Sequence, residues 1–288
     1  MPSKPRAGRS MHAKDMRRYI HDAHEHLASG YGDLDQHGNV GINALEDWNY
    51  RRNVQEPITE IVRSHVPGRG FSVLDAGCGN GQLLHIYAQL GAGVIYGVDF
   101  GRSMLRLAVQ RARDNGIDFV PVLARLEDMQ CMPDASLDVV NLYGVIEHLP
   151  DPAAVLAELA RVLKPGGTVI VLVPRKWSLA WATYFVFCRS LADYAGEETW
   201  WERLTRKKKM SLYRFYTRGD MDNIIRQVPD LELVRTVPIA HGGMVGAVDK
   251  PLRNAARQGN YGRIDRWNAL CGKLHLVPAG EYFVLRRI

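Results

Sequence analysis

Cysteine is scarce in this sequence: four residues in 288, Cys78, Cys131, Cys188 and Cys271, too far apart to form a metal-ligand pattern. That excludes a disulfide-stapled framework and a zinc ribbon, and it leads us to expect a reducing, cytoplasmic setting. Long hydrophobic runs are also missing. The apolar stretch from Trp177 to Cys188 holds twelve residues without a charge, well short of the ~20 needed to span a bilayer. The stretch from Met1 to His24 is basic but has no continuous apolar core, so it reads as a flexible arm leading into a helix and not as a secretory signal. Internal repeats are absent, and no Lys-Ser/Thr pair follows a glycine loop.

The remaining composition is that of a globular protein, with 46% hydrophobic and 24% charged residues. The length suffices for a full core. A net charge of +6 with a pI near 9.2 allows an anionic partner without choosing among nucleic acid, an acidic membrane surface and a phosphorylated substrate.

The most informative stretch is VLDAGCGNG, Val73 to Gly81. An apolar run reading as a buried parallel strand ends at Asp75, and a turn through Gly77, Gly79 and Gly81 leads into a helix beginning near Gln82. Missing side chains let a ligand approach the backbone, and a helix start offers free N–H groups. A dinucleotide loop places its glycines at i, i+2 and i+5. Here they stand at i, i+2 and i+4, with Gln82 where the third belongs. A second apolar run, Val94 to Val98, ends at Asp99, placed for the two hydroxyls of a ribose.

Further strings follow in order: SMLRLA at Ser103, PDASLDVV at Pro133, GVIEHLPDP at Gly144 and LKPGG at Leu163. With the glycine loop they cover about residues 70–175 and resemble the class I methyltransferases that use S-adenosylmethionine, in the small-molecule branch. The resemblance implies an α/β fold, a Rossmann-like, seven-stranded, mostly parallel sheet with helices on both faces. It also implies a cofactor site in which Asp75, Gly77 and Gly79 hold the methionine end, Asp99 the ribose, and Phe100, Met104 and Leu126 the adenine. Where many relatives have an acid near the end of the third strand, this chain has Ala124, Arg125 and Leu126.

Alternating apolar and amphipathic stretches fit this plan. Strands are expected at 71–75, 94–98, 118–123, 138–143, 167–173, 231–237 and 281–287. Helices are expected at 81–90, 103–115 and 152–163, the last capped by Asp151 and started by Pro152. Residues 1–66 read as an arm and helical cover for the cofactor, 67–288 as the methyltransferase domain, and 175–217 as a helical insertion on the substrate side after the fifth strand.

Methyl transfer asks chiefly for alignment, plus a base when the nucleophile is a phenol, alcohol or carbon acid. Glu147 and His148, just past the fourth strand, are the candidate catalytic residues. Either can serve as base, Glu147 also as a metal ligand, and His148 equally well as a structural tie; no metal is called for. The acceptor must be read from the insertion, where the apolar stretch is followed by the basic run Arg206 to Lys209 among aromatic residues. The layout is similar to that of ubiquinone-pathway O-methyltransferases, which implies a lipophilic small-molecule acceptor methylated at oxygen. A peripheral membrane contact through 177–191 and a homodimer stay open. So do C-methylation of an isoprenoid diphosphate, a binding protein without catalysis, and RNA modification. Nucleic acid is disfavoured, because NLYG at Asn141 is not the Asn-Pro-Pro-Tyr loop of adenine-N6 enzymes and no Pro-Cys nucleophile occurs.

Overall fold

The computed structural model describes residues 50–66, 68–178, 214–239, 261–274 and 276–288. Seven strands form one sheet in the order β3-β2-β1-β4-β5-β7-β6. In chain order they are β1 (Ser72–Ala76), β2 (Val94–Asp99), β3 (Phe119–Leu123), β4 (Leu137–Leu142), β5 (Leu163–Pro174), β6 (Leu231–Ile239) and β7 (Gly280–Arg287). The first five run parallel, and β7 pairs antiparallel with both β5 and β6. The strand order reverses at β1, and a topological switch of this kind leaves a crevice at the carboxyl ends of the strands on either side.

The helices are α1 (Glu56–His65), α2 (Leu84–Leu90), α3 (Arg102–Asp114), α4 (Pro152–Val162), α5 (Arg218–Ile225) and α6 (Tyr261–Lys273). Two apolar cores explain the layering. Because side chains alternate across a strand, Leu74, Val140, Val171 and Phe283 enter one core with Val155, Leu159 and Met221. Val73, Val139, Ile170 and Val284 enter the other with Ile58, Ile61, Leu84 and Tyr87. Each fully buried side chain of this size stabilises the fold by about 1.5–3 kcal/mol, so a continuous apolar strand is favoured only with helices on both faces.

Local chemistry sets the boundaries. Asp151 caps α4 by accepting from the Ala154 N–H at 3.1 Å, with Pro152 in the first turn. Thr217 and Asp220 form a capping box at the head of α5. Two expectations need correction. Turns occupy residues 79–83, so α2 starts at Leu84 and not near Gln82, because three glycines with left-handed backbone delay regular helix. Strand β5 starts at Leu163, and Pro165, Gly166 and Gly167 lie within it. Leu137 pairs with Leu163, and the register then shifts so that Val139 pairs with Thr168, so the Pro-Gly-Gly string is a bulge and not a turn before the strand.

Ahead of α1, a π-helical turn, Arg51–Gln55, is anchored at several points. The Tyr282 hydroxyl donates to the Asn53 carbonyl at 2.8 Å, and Arg52 meets Asp265 of α6 at 3.1 Å. Residues 1–49 and most of the 175–217 insertion, including the apolar stretch beyond Ser178 and the Arg206 to Lys209 run, lie outside the described residues. No helix among the described residues is long and apolar enough to cross a membrane.

Candidate active site

Asp75 and Asp99 end β1 and β2, Gly77, Gly79 and Phe100 follow them in the adjoining loops, and Glu147 and His148 lie in the 3₁₀ turn after β4. Asp75 pairs in register with Gly97 on β2 and Asn141 on β4, at the centre of the sheet. It is 2% exposed, and a short relay holds it. Asn141 Nδ2 donates to the Tyr87 hydroxyl at 2.7 Å, and that hydroxyl donates to Asp75 Oδ1 at 3.4 Å. Burial pushes the Asp75 carboxyl up to about 7; the Tyr87 hydrogen bond opposes the rise and the nearby Asp99 charge adds to it.

The glycine loop crosses from β1 to β2. Gly77 and Cys78 both donate to the Val98 carbonyl, at 2.8 and 3.0 Å. Asp99 closes the loop from the other side: Oδ2 accepts from the Gly79 N–H at 2.9 Å and Oδ1 from the Gly101 N–H at 2.7 Å. This one carboxylate therefore ties the loops after β1 and β2 together. Phe100 is partly buried beside it, and Met104 is 6% exposed yet belongs to neither apolar core. Leu126 packs its side chain into the first core. Arg125 stays substantially exposed, 3.7 Å from Glu127.

Two glycines need their identity for different reasons. At Gly77 (φ +76°) an added Cβ would stand 2.5 Å from Val145 Cγ2, whereas at Gly79 (φ +51°) it would meet nothing within 4 Å. Gly77→Ala is accordingly expected to cost about 2–4 kcal/mol, combining left-handed strain with overpacking. Gly79→Ala is expected to cost only the strain, about 1–2 kcal/mol. Chemical denaturation of both variants checks the difference, and adding Val145→Ala should restore part of the loss at Gly77 only.

After β4 the chain turns through a short 3₁₀ helix, Ile146–His148. Glu147 is 6% exposed and its Oε2 is buried without a hydrogen-bond partner. Burial pushes its carboxyl up to about 7. The partly buried Tyr143 lies between β4 and this turn, and burial together with Glu147 pushes its hydroxyl up to about 12. His148 is half-buried and donates its N–H to the Val145 carbonyl at 2.9 Å. Among the described residues, no group of three or more His, Cys, Asp and Glu side chains could hold a metal ion.

Tyr50, just before the π-helical turn, reaches over the glycine loop. Its hydroxyl donates to the Gln82 carbonyl at 3.2 Å, and its ring stands 6.2 Å from that of His85. Burial, with Tyr143 and Asp75 near by, pushes that hydroxyl up. Tyr50, Tyr87, Asn141 and Tyr143 escaped the sequence reading of the site. Tyr50 stood inside WNYRR and Tyr143 inside NLYG, but no spacing within either string announces a contact with Asp75 or Glu147.

The comparisons with known proteins bear on this geometry. Residues 74–171 match the model of a methyltransferase domain. The chain is 36% identical over 168 residues to a ubiquinone biosynthesis O-methyltransferase from Nitrosococcus oceani, covering 58% of this chain and 66% of that one. The chain belongs to the class I S-adenosylmethionine-dependent methyltransferases. A second ubiquinone biosynthesis O-methyltransferase, from Neisseria meningitidis serogroup C, is also 36% identical, over 111 residues, or 38% of this chain and 47% of the relative. The chain thus spans about half the length of the first curated relatives it matches. In structure it is similar to magnesium protoporphyrin IX methyltransferase from Synechocystis PCC 6803, with a TM-score of 0.62 at 14% identity, over 95% of this chain and 100% of the other. At that identity the likeness shows the fold.

The family's cofactor is S-adenosylmethionine, and the residues present fit it. The open space at Gly79 admits a ligand against the main chain. Asp75 is a buried carboxyl with no cation beside it among the causes of its shift, which suits a cationic group. The Asp99 carboxylate is fixed by two backbone donors, and a carboxylate can accept more than two hydrogen bonds.

Proposed function

We propose that this chain transfers a methyl group from S-adenosylmethionine to an oxygen of a lipophilic small molecule. The observation that carries the oxygen assignment is Glu147, a buried carboxyl whose Oε2 lacks a partner, at the end of the strand next to the cofactor loop. Buried polar groups are otherwise satisfied. Such an atom beside a cofactor site suits a proton acceptor, and its midpoint near 7 matches what a base needs at neutral pH. The kinship with ubiquinone biosynthesis O-methyltransferases supports the same class of acceptor.

When bound, S-adenosylmethionine supplies an electrophilic methyl on a sulfonium. Asp75 would hold its methionine end, with the Gly77 and Gly79 main chain alongside, and Asp99 its ribose. Phe100, Met104 and the main chain at Leu126 would border the adenine. Glu147, with His148 beside it, would take the proton of the acceptor hydroxyl. Tyr50 and the segment ahead of α1 help exclude water from the loop. The 175–217 insertion would contribute the acceptor side.

The test is transfer of labelled methyl to alkylated phenols, with isoprenoid diphosphates and tRNA offered in parallel. Label is expected in an aryl methyl ether. Glu147→Gln is expected to lower kcat by about a hundred-fold or more, the usual contribution of a positioned base, while leaving cofactor affinity within about two-fold, a difference below ~0.5 kcal/mol. Label recovered on a carbon of the diphosphate or in the RNA would overturn the reading.

A further inference from the structure

The returning end of the insertion is bound to the turn that carries Glu147. The chain leaves β5 at Pro174 and is described again from Arg214, and there the two ends of the insertion clasp each other. Tyr216 forms a parallel bridge with Arg175, its N–H donates to the Pro174 carbonyl at 2.9 Å, and its carbonyl accepts from the Lys176 N–H at 2.9 Å. Tyr216 is 1% exposed and its ring belongs to the first core. From that fixed position its hydroxyl donates to the Ile146 carbonyl at 2.8 Å. Two residues earlier, the Arg214 N–H donates to the Glu147 carbonyl at 3.0 Å.

The Ile146–His148 turn is a single 3₁₀ turn. His148 donates to Val145 at 2.9 Å, and Leu149 donates to Ile146 at 3.3 Å. A turn this short cannot hold a buried charge-bearing side chain by itself, because the carbonyls of a helix end need outside donors and one weak ladder bond is readily lost. Two successive carbonyls of the turn, Ile146 and Glu147, take those donors from the returning segment, residues 214–216. Tyr143, from the end of β4, interacts with the Glu147 carboxyl, His148 follows it in the turn, and Arg214 and Tyr216 reach the turn's carbonyls from the returning segment. The Arg214 guanidinium lies 5.8 Å from the Tyr216 ring.

We propose that Tyr216 is a positioning residue for Glu147, holding the turn in place so that the carboxyl stays dry. The inference rests on the functional reading of Glu147 given above. The device costs the fold little, since Tyr216 is already a core side chain and only its hydroxyl serves the turn.

The experiment is Tyr216→Phe in the full chain, with the Glu147 carboxyl followed by carbon NMR and its resonance identified by its disappearance in Glu147→Gln. Loss of one hydrogen bond is expected to open the turn to water and move the carboxyl midpoint down by about one unit. Cofactor affinity should stay within about two-fold, and kcat should fall about ten-fold with the cofactor KM unchanged, the scale of one hydrogen bond. An unmoved midpoint together with an unchanged kcat overturns the proposal. If Tyr216→Phe fails to fold, Arg214→Pro removes the other donor from the segment and is read by the same resonance. A midpoint that moves while Glu147→Gln transfers methyl normally would keep the positioning role of Tyr216 and remove Glu147 as the base, so the two readings fail separately.

Discussion

Asp99→Ala is expected to weaken S-adenosylmethionine binding by two to three orders of magnitude, measured by calorimetry, with the fold retained. The carboxylate does two jobs. It can accept hydroxyl donors of the ligand, and it accepts from Gly79 at 2.9 Å and from Gly101 at 2.7 Å. Hydrogen bonds to a charged group are worth about 1.5–3 kcal/mol each, and two lost from the ligand alone amount to about a hundred-fold or more. The remainder comes from the glycine loop, which must be ordered at the moment of binding once its tether is gone.

Asp99→Asn separates the two jobs. An amide offers one acceptor oxygen where the site presents two N–H groups, so its NH2 must face a backbone donor. It is therefore expected to bind hardly better than Asp99→Ala, although its shape is nearly that of Asp. An Asn variant with near-native affinity would mean that the tethering of Gly79 and Gly101 contributes little and that the hydroxyl contact alone decides.

What could be read in the sequence follows from how local each interaction is. The acids at 75 and 99 were legible because each ends an apolar strand before a glycine turn, and a pattern of that kind is confined to ten residues. The relay behind Asp75 was not, since Tyr87 lies 12 residues from Asp75 and 54 from Asn141. Tyr87 also reads as an ordinary core side chain of an amphipathic helix. The contact of Tyr216 with Ile146 spans 70 positions and depends on the insertion folding back on itself. The bulge at Pro165 to Gly167 was hidden for the opposite reason. Proline and glycine locally announce a turn, and only pairing with β4 keeps that string within the ladder. Strand existence was robust because a continuous apolar run has few alternatives between two helical layers.

The affinity for S-adenosylmethionine is expected to depend steeply on pH below neutrality, and Asp75 supplies the reason. Burial raises its carboxyl to about 7, with Asp99 adding to the rise and the Tyr87 hydroxyl opposing it. A carboxyl raised in the folded state favours folding below the ordinary carboxylate range, and that contribution is lost as pH rises through about 7. The empty site is therefore strained at pH 8, where the carboxylate is charged and dry, and a cationic ligand relieves that strain. Below pH 7 the proton must leave before the cation can be paired. The dissociation constant is then expected to rise about ten-fold per pH unit between 7 and 5, with nearly one proton released per ligand bound at pH 6. Calorimetry in buffers of different ionisation enthalpy measures both. Asp75→Asn, which keeps an acceptor for the Tyr87 hydroxyl, should flatten the slope and hold affinity near its low-pH level. Glu147→Gln should leave the slope intact if, as proposed, Glu147 serves the acceptor, although burial raises its carboxyl to about 7 as well. A slope that survives Asp75→Asn and vanishes in Glu147→Gln would assign the titrating group to the turn after β4, and would place the cationic end of the ligand there instead of at β1.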